Sequence, residues 1–217
     1  TLKEFKNLIQ EKYSKHHPRL LVLLGNSALL LRDEYRELWG DIPIVLCSEE
    51  NYIGSQEVYI CKQPIVKADC IPLADPYNLV HLYSNLYLQE NIQLISHIVP
   101  DMKKFIFIGD ERQINQTNSI EIQSKLKTMN PDIEYQFITP KKWTTNQLLD
   151  SLYFIDPNTT GILFASWLYK TKFAGNTYLA SNAYKLIVTT SAPIFTLNMA
   201  DITEENGGMI GGYTYNQ

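Results

Sequence analysis

Short apolar runs alternate along the chain with longer segments of helical spacing. "LKEFKNLIQEKY" opens it with Leu2, Phe5 and Leu8 or Ile9 on one helical face. "RLLVLL" (19–24) is then a continuous apolar run after Arg19, the pattern of a strand covered on both faces. It stops at Gly25-Asn26-Ser27, where Asn26 or Ser27 can cap a helix, and "ALLLRDEYRELW" continues with helical character. "IPIVLCS" (42–48) predicts a second strand, and 49–89 reads as polar and irregular, interrupted by Pro64, Pro72 and Pro76. "QENIQLISHIVP" (89–100) is a helix stopped by Pro100, and "KFIFIGD" (104–110) is a strand ending in Gly109-Asp110. "QTNSIEIQSKLKTMN" (116–130) has helical period, and "IEYQFIT" (133–139) alternates as a strand does. "TTNQLLDSLYFI" (144–155) is a helix with Thr144 or Thr145 as cap, and "TGILFASW" (160–167) is a buried strand. "NTYLASNAYKLIVTTS" (176–191) reads as helical up to its β-branched cluster, and "PIFTL" and "GMIGGYTY" close the chain as strands.

Strand and helix in strict alternation predict βαβ units, hence parallel sheets covered on both faces and right-handed crossovers. In open parallel sheets, ligands bind beyond the carboxyl ends of the strands. The residues at those ends are Asn26 and Ser27, then Ser48 and Glu49, then Asp110 and Glu111, then Ser166 and Trp167, then Asn198, Met199 and Asp201. Each set is short and polar and stands beside a helix start that offers free N–H groups. Capping and turn chemistry alone also explains any one of these sets. Their convergence in one fold predicts a binding site in which Ser and Asn hydrogen-bond a ligand, Asp110 and Asp201 accept from its hydroxyls or amines, and Trp167 stacks on it.

Composition narrows the function classes. The chain has 217 residues and a net charge of −4, with Lys and Arg scattered; that excludes a phosphate-backbone partner, which needs clustered cations. No apolar run is long enough to span a membrane. The chain starts at Thr1 already in helical pattern and stops soon after Tyr215, which reads as a piece clipped at both ends. Cys47, Cys61 and Cys70 form no C-x-x-C pair and have no histidine at metal-ligand spacing, so no metal site is predicted. Three free thiols are the simpler reading; a Cys61–Cys70 bridge stays open for an oxidising compartment. Neither G-x-G-x-x-G nor a P-loop is present, and "GNSAL" lacks the nucleophile elbow, so no cofactor and no catalytic residue is predicted. His16 and His17 read as solvated, and His81 and His97 as packing or surface positions on helical segments. Tyr77, Tyr83 and Tyr87, at helical spacing, read as packing or as a stacking platform at the ligand edge. Asn115 and Asn158 match the glycosylation sequon, a short pattern that arises readily by chance.

Three passages carry a family resemblance. "HIVPDMKKFIFIGDE" resembles the helix–Pro-Asp–strand–Gly-Asp passage of type I periplasmic-binding-protein-like domains, the ABC-transporter substrate-binding-like group. "PRLLVLLGNSAL" followed by "DIPIVLCS" resembles their opening, and "SAPIFTLNMAD" with "GGMIGGY" their return segment. The resemblance spans most of the chain, is weakest over 49–89, and rests on no single diagnostic motif. It implies an α/β fold of two Rossmann-like lobes with parallel sheets, residues 1–88 plus 198–217 in one and 89–197 in the other, with the C-terminus truncated. It further implies a non-enzymatic domain that closes by a hinge on a small polar molecule such as a sugar or amino acid. Such domains serve as extracytoplasmic sensors of bacterial hybrid histidine kinases, membrane-tethered in the periplasm and capable of homodimerising, or as solute-binding proteins of ABC transporters. A Rossmann-like transferase, with Asp110 as its base, and a ligand-free dimerisation module are the readings from other classes.

Overall fold

The computed structural model describes residues 2–48, 78–170, 177–179, 187, 190, 192–198 and 209–212. Cys61, Cys70, Tyr77, Glu49, Met199 and Asp201 lie outside them. The described residues fall into two units, one reaching Asn85 and one starting at Leu86. Both units are α/β and both are built on parallel strands.

The first unit holds α1 (Leu2–Lys12), β1 (Leu21–Leu24), a 3-10 helix (Asn26–Leu31), α2 (Arg32–Trp39), β2 (Ile44–Ser48) and β3 (Leu79–Tyr83). Its sheet runs β1-β2-β3, all parallel. The register sets Leu21 and Leu23 beside Ile44 and Leu46 on one face, and there Leu29, Leu31 and Tyr35 cover them. Trp39 joins this core and stacks on Tyr35 with ring centres 5.8 Å apart. A strand's period of two then places Val22, Leu24, Val80 and Leu82 on the opposite face, where they are 58%, 76%, 57% and 55% exposed. The expectation that "RLLVLL" is covered on both faces is therefore corrected: among the described residues, one face is covered. β3 is a second correction, because "LVHLY" lies inside the stretch predicted to be irregular. His81 interrupts its apolar run, and with it the helical reading of His81 and Tyr83 falls.

The second unit holds α3 (Leu88–Ile98), β4 (Lys104–Ile108), α4 (Gln113–Met129), β5 (Glu134–Ile138), α5 (Thr145–Tyr153), β6 (Thr160–Phe164), β7 (Leu168–Lys170), β8 (Thr177–Leu179), β9 (Ile194–Thr196) and β10 (Met209–Gly211). Five of these strands form one parallel sheet in the order β5-β4-β6-β9-β10. Counted from β4 this is the doubly wound order 2-1-3-4-5. The sheet is buried on both faces. Ile106, Ile108, Ile162, Phe164 and Ile194 pack with Leu148 and Leu152 of α5. Phe105, Phe107, Leu163 and Phe195 pack with Ile92 and Ile95 of α3 and with Ile122 and Leu126 of α4. Alternation along each strand assigns the two sets, as the period of two requires. Thr144 starts α5 as predicted, through a capping box in which Gln147 N–H donates to Thr144 Oγ1 and Gln147 Oε1 accepts from Thr144 N–H.

Three further expectations change here. Residues 177–179, read as the start of a helix, form β8, antiparallel to β7. The segment "GMIGGY", read as returning to the first lobe, contributes β10, which pairs with β9 inside the second unit. Gly212 follows so closely that a β-carbon there would run into the Thr196 carbonyl. Trp167 is fully buried in the core and its indole N–H donates to Thr145 Oγ1 at 3.2 Å, so its ring packs inside the unit rather than presenting a face to a ligand.

Gly161 sets the spacing between α3 and the sheet. A β-carbon there would lie 2.6 Å from Met102 Sδ and would strike Ile95. Gly161→Val should therefore overpack this layer and lower stability by about 1–3 kcal/mol, read as a lower urea midpoint at unchanged slope. An unchanged midpoint would show that the layer has room to spare.

Candidate functional site

In the second unit the chain goes from β4 to β5 on one side, then returns past β4 to place β6 on the other. Strand order reverses at that point, so the connections leaving β4 and β6 part; folds of this order place ligands at such a carboxyl edge. The residues there are Gly109 and Asp110 after β4, and Ala165 and Ser166 after β6.

Asp110 is 2% exposed and sits at the centre of a closed hydrogen-bond set. Its Oδ1 accepts from the Arg112 backbone N–H (2.9 Å), Arg112 Nε (2.9 Å) and Asn115 Nδ2 (2.9 Å). Its Oδ2 accepts from Ser166 Oγ (2.7 Å) and again from Arg112 Nε (3.0 Å). Asn115 Nδ2 also donates to Ser166 Oγ at 2.8 Å, which ties the start of α4 to the end of β6. These donors fill the lone-pair sites of a carboxylate. A buried carboxylate is tolerated on those terms: unpaired it would cost several kcal/mol, whereas hydrogen bonds to a charged group contribute roughly 1.5–3 kcal/mol each. Gly109 admits the close approach, since a β-carbon there would stand 3.2 Å from Asn115 Cγ and 3.2 Å from Phe137 Cε2. Glu111 Oε1 accepts from the Lys141 backbone N–H at 2.7 Å, which joins the end of β4 to the loop after β5.

Of the predicted ligand residues, the structure brings Asp110 and Ser166 into direct contact and leaves Glu111 one residue away, its side chain bonded to the Lys141 backbone. Asp110 was expected to take donors from a ligand; its acceptor sites are occupied by the chain instead. Asn198 follows β9, is exposed, and donates its backbone N–H to Thr196 Oγ1 at 3.1 Å. Arg112 and Asn115 were not singled out as ligand residues. Asn115 appears in the sequence only as a sequon, and at 3% exposure it is closed to glycosylation. The available signal was its place in the first turn of a helix that follows a Gly-Asp strand end.

The first unit has its own carboxyl edge. Gly25, with φ of +82°, turns the chain out of β1 while its N–H donates to the Cys47 carbonyl at 2.8 Å. Asn26 and Ser27 open the 3-10 helix from inside it rather than capping it, because Gly25 holds the cap position. Ser48 ends β2, buried, with its Oγ 2.6 Å from Nε2 of His81 on β3. The neighbouring Tyr83 ring lies 6.0 Å from the imidazole. Ser84 Oγ, buried just beyond β3, has no hydrogen-bond partner among the described residues. His81 is the residue the sequence reading misplaced: on a strand rather than a helix, it faces Ser48. Among the described residues, no group of three His, Cys, Asp or Glu side chains could hold a metal ion. A shallow depression of about 380 Å³ along α5, lined by Lys142, Trp143, Gln147 and Phe154, includes none of the predicted ligand residues.

No protein-family model matches this sequence, and no curated protein or solved structure matches it significantly. The fold and the two carboxyl edges are therefore read from the chain itself.

Burial lowers the pKa of His81 below its ordinary value. As pH falls, the unfolded chain binds this proton first, so protonation favours unfolding. The contribution of neutral His81 is in place above the ordinary histidine pKa of about 6.5 and is lost as pH falls through it toward the lower folded value. Stability of the wild-type chain should decline over that window, and His81→Gln should flatten the decline by the share His81 carries. Equal slopes in the two proteins, measured by urea unfolding across the window, would show that His81 does not carry it.

Proposed function

We propose that the chain is a ligand-binding sensor domain of the type I periplasmic-binding-protein-like kind, acting outside the cytoplasm in a bacterial two-component receptor. Its ligand is a small polar molecule, of the size and polarity of a sugar or an amino acid. The observation that carries this reading is the reversal of strand order at β4 and β6, with the polar set Asp110, Asn115 and Ser166 built into its carboxyl edge. Folds of this order place ligands there.

The set braces the edge and leaves the contact with ligand to its neighbours. Rigid supporting groups of this kind hold a binding edge in one geometry, and that reduces the ordering cost of association. In a sensor, the ligand biases a conformational equilibrium by its differential affinity for the two states, and the full-length, membrane-tethered receptor passes that bias to a kinase. A solute-binding protein of a transporter uses the same binding chemistry. The transferase reading loses ground because Asp110, its candidate base, has its acceptor sites filled by the chain.

A thermal-shift screen over sugars, amino acids and nucleosides tests the reading. A ligand at one hundred times its Kd stabilises the folded state by about 2.7 kcal/mol, so a true ligand should raise Tm by several degrees. A flat response over all three classes would count against a sensor for small polar molecules.

A further inference from the structure

Two buried side-chain polar atoms have no hydrogen-bond partner among the described residues, Asn26 Oδ1 and Ser84 Oγ. Asn26 is 5% exposed and has an interaction of its own, so what is left over there is the acceptor oxygen and not the residue. Both atoms belong to the carboxyl edge of the first unit. Asn26 follows β1 across the Gly25 turn, and Ser84 follows β3 directly. β2 runs between them: Gly25 N–H donates to the Cys47 carbonyl at 2.8 Å, and Ser84 N–H donates to the Ser48 carbonyl at 2.9 Å. Ser48 closes β2 there, its Oγ 2.6 Å from Nε2 of His81. Three adjacent strand ends thus carry polar side chains, and each of the two outer ones keeps an unused hydrogen-bonding atom. Buried polar atoms in native proteins nearly all have partners, because an unmade bond leaves the loss of water uncompensated. Two such atoms at one edge of one sheet call for a donor or acceptor that the chain does not supply.

The chemistry of that edge selects the partner. Oδ1 accepts, and a serine hydroxyl both donates and accepts. A ligand hydroxyl answers either atom, since it too does both. Gly25, Asn26, Ser48, His81, Tyr83 and Ser84 include no carboxylate, ammonium or guanidinium group. His81 is neutral at neutral pH as well, because burial holds its pKa below the ordinary value. A charged ligand group would give up water here without gaining a countercharge. The Tyr83 ring, 46% exposed and 6.0 Å from the imidazole, offers an apolar face beside the polar atoms. β1 and β3 flank β2, which puts their ends about 9–10 Å apart, a gap on the scale of one small ring with its hydroxyls.

We propose that the carboxyl edge of the first unit binds an uncharged ring compound bearing at least two hydroxyl groups. One hydroxyl donates to Asn26 Oδ1, another exchanges a hydrogen bond with Ser84 Oγ, and the ring lies against Tyr83. Ser48 and His81 are bonded to each other and position the strand ends on either side. The proposal goes beyond the reading of the second unit's edge and does not depend on it.

The test is an NMR titration of the whole chain with ribose, glucose and myo-inositol, and with glucosamine and gluconate as charged counterparts of glucose. At least one neutral compound should shift the Asn26 side-chain amide and the backbone amides of Ser48, His81 and Ser84 saturably. Glucosamine and gluconate should bind at least tenfold more weakly than that compound. Ser84→Ala should weaken binding roughly tenfold, the worth of one hydrogen bond. The same change should leave the urea midpoint of the unliganded chain unchanged or higher, because it removes a polar atom that bonds nothing in the chain; a purely structural serine would lower it. Silence from all three neutral compounds, undiminished binding in Ser84→Ala, or a charged counterpart binding as tightly as glucose would each overturn the proposal. A lower midpoint in Ser84→Ala with no response to any compound would mean that the hydroxyl holds an ordered water only, and would overturn it too. Shifts confined to the residues after β4 and β6 would overturn it and leave the second unit's edge standing; shifts confined to the first unit would do the reverse.

Discussion

The constraint on which the second unit depends is the burial of one carboxylate where the sheet reverses. Five parallel strands with apolar side chains on both faces build a stable slab, but at β4 the chain departs in one direction and at β6 in the other. The ends of those two strands share no further ladder hydrogen bonds once their loops part, and polar backbone there must be satisfied by other means. Asp110 and Ser166 meet across that gap, with Asn115 holding both from the first turn of α4. A single charged group thereby links a strand end, a second strand end and a helix start. Buried charges are retained only when well paired, and here four donors reach the carboxylate, three of them on Oδ1.

The helices follow from the same arrangement. α4 and α3 cover the face that carries Phe105, Phe107 and Leu163; α5 covers the face that carries Ile106, Ile108 and Ile162. The opposite placement of α4 and α5 is the three-dimensional counterpart of the reversal, since each crossover must pack back onto the sheet with the same hand. The first unit lacks such a reversal among its described strands: β1, β2 and β3 are in chain order, and the residues packed against them lie on one face. Its carboxyl edge is correspondingly simpler, a serine at the end of β2 bonded to a histidine of β3.

Much of this was legible in the sequence, for identifiable reasons. β4 and β6 announce themselves because strands in a fully covered slab are apolar at nearly every position, β5 because its residues alternate as those of an edge strand do, and α5 because Thr144 and Gln147 form a capping box at the spacing such boxes require. The polar strand ends were legible as a set, and Asp110 and Ser166 do meet. Their roles were not, because a sequence gives no count of how many donors surround a carboxylate. Trp167 misled for a related reason: an aromatic after a strand looks available, and only packing reveals that it faces inward. β3 was hidden by His81, whose partner Ser48 lies far away in sequence; β10 was legible as a strand but not its place, because its glycines suggest a crossing when they serve close packing beside β9. Long-range partners of polar residues leave no periodic trace.

The central claim is that Asn115 and Ser166 act as one unit through Asp110. A double-mutant cycle on the pair measures it directly: stabilities of the wild type, Asn115→Ala, Ser166→Ala and the double variant by urea unfolding. Because both side chains bond each other and the same carboxylate, the account predicts a coupling of about 1 kcal/mol or more, outside the range of about 0.3–0.5 kcal/mol expected of independent sites. Additive losses would mean that the two residues stabilise the edge separately, and the buried carboxylate would then not be the joint that holds it.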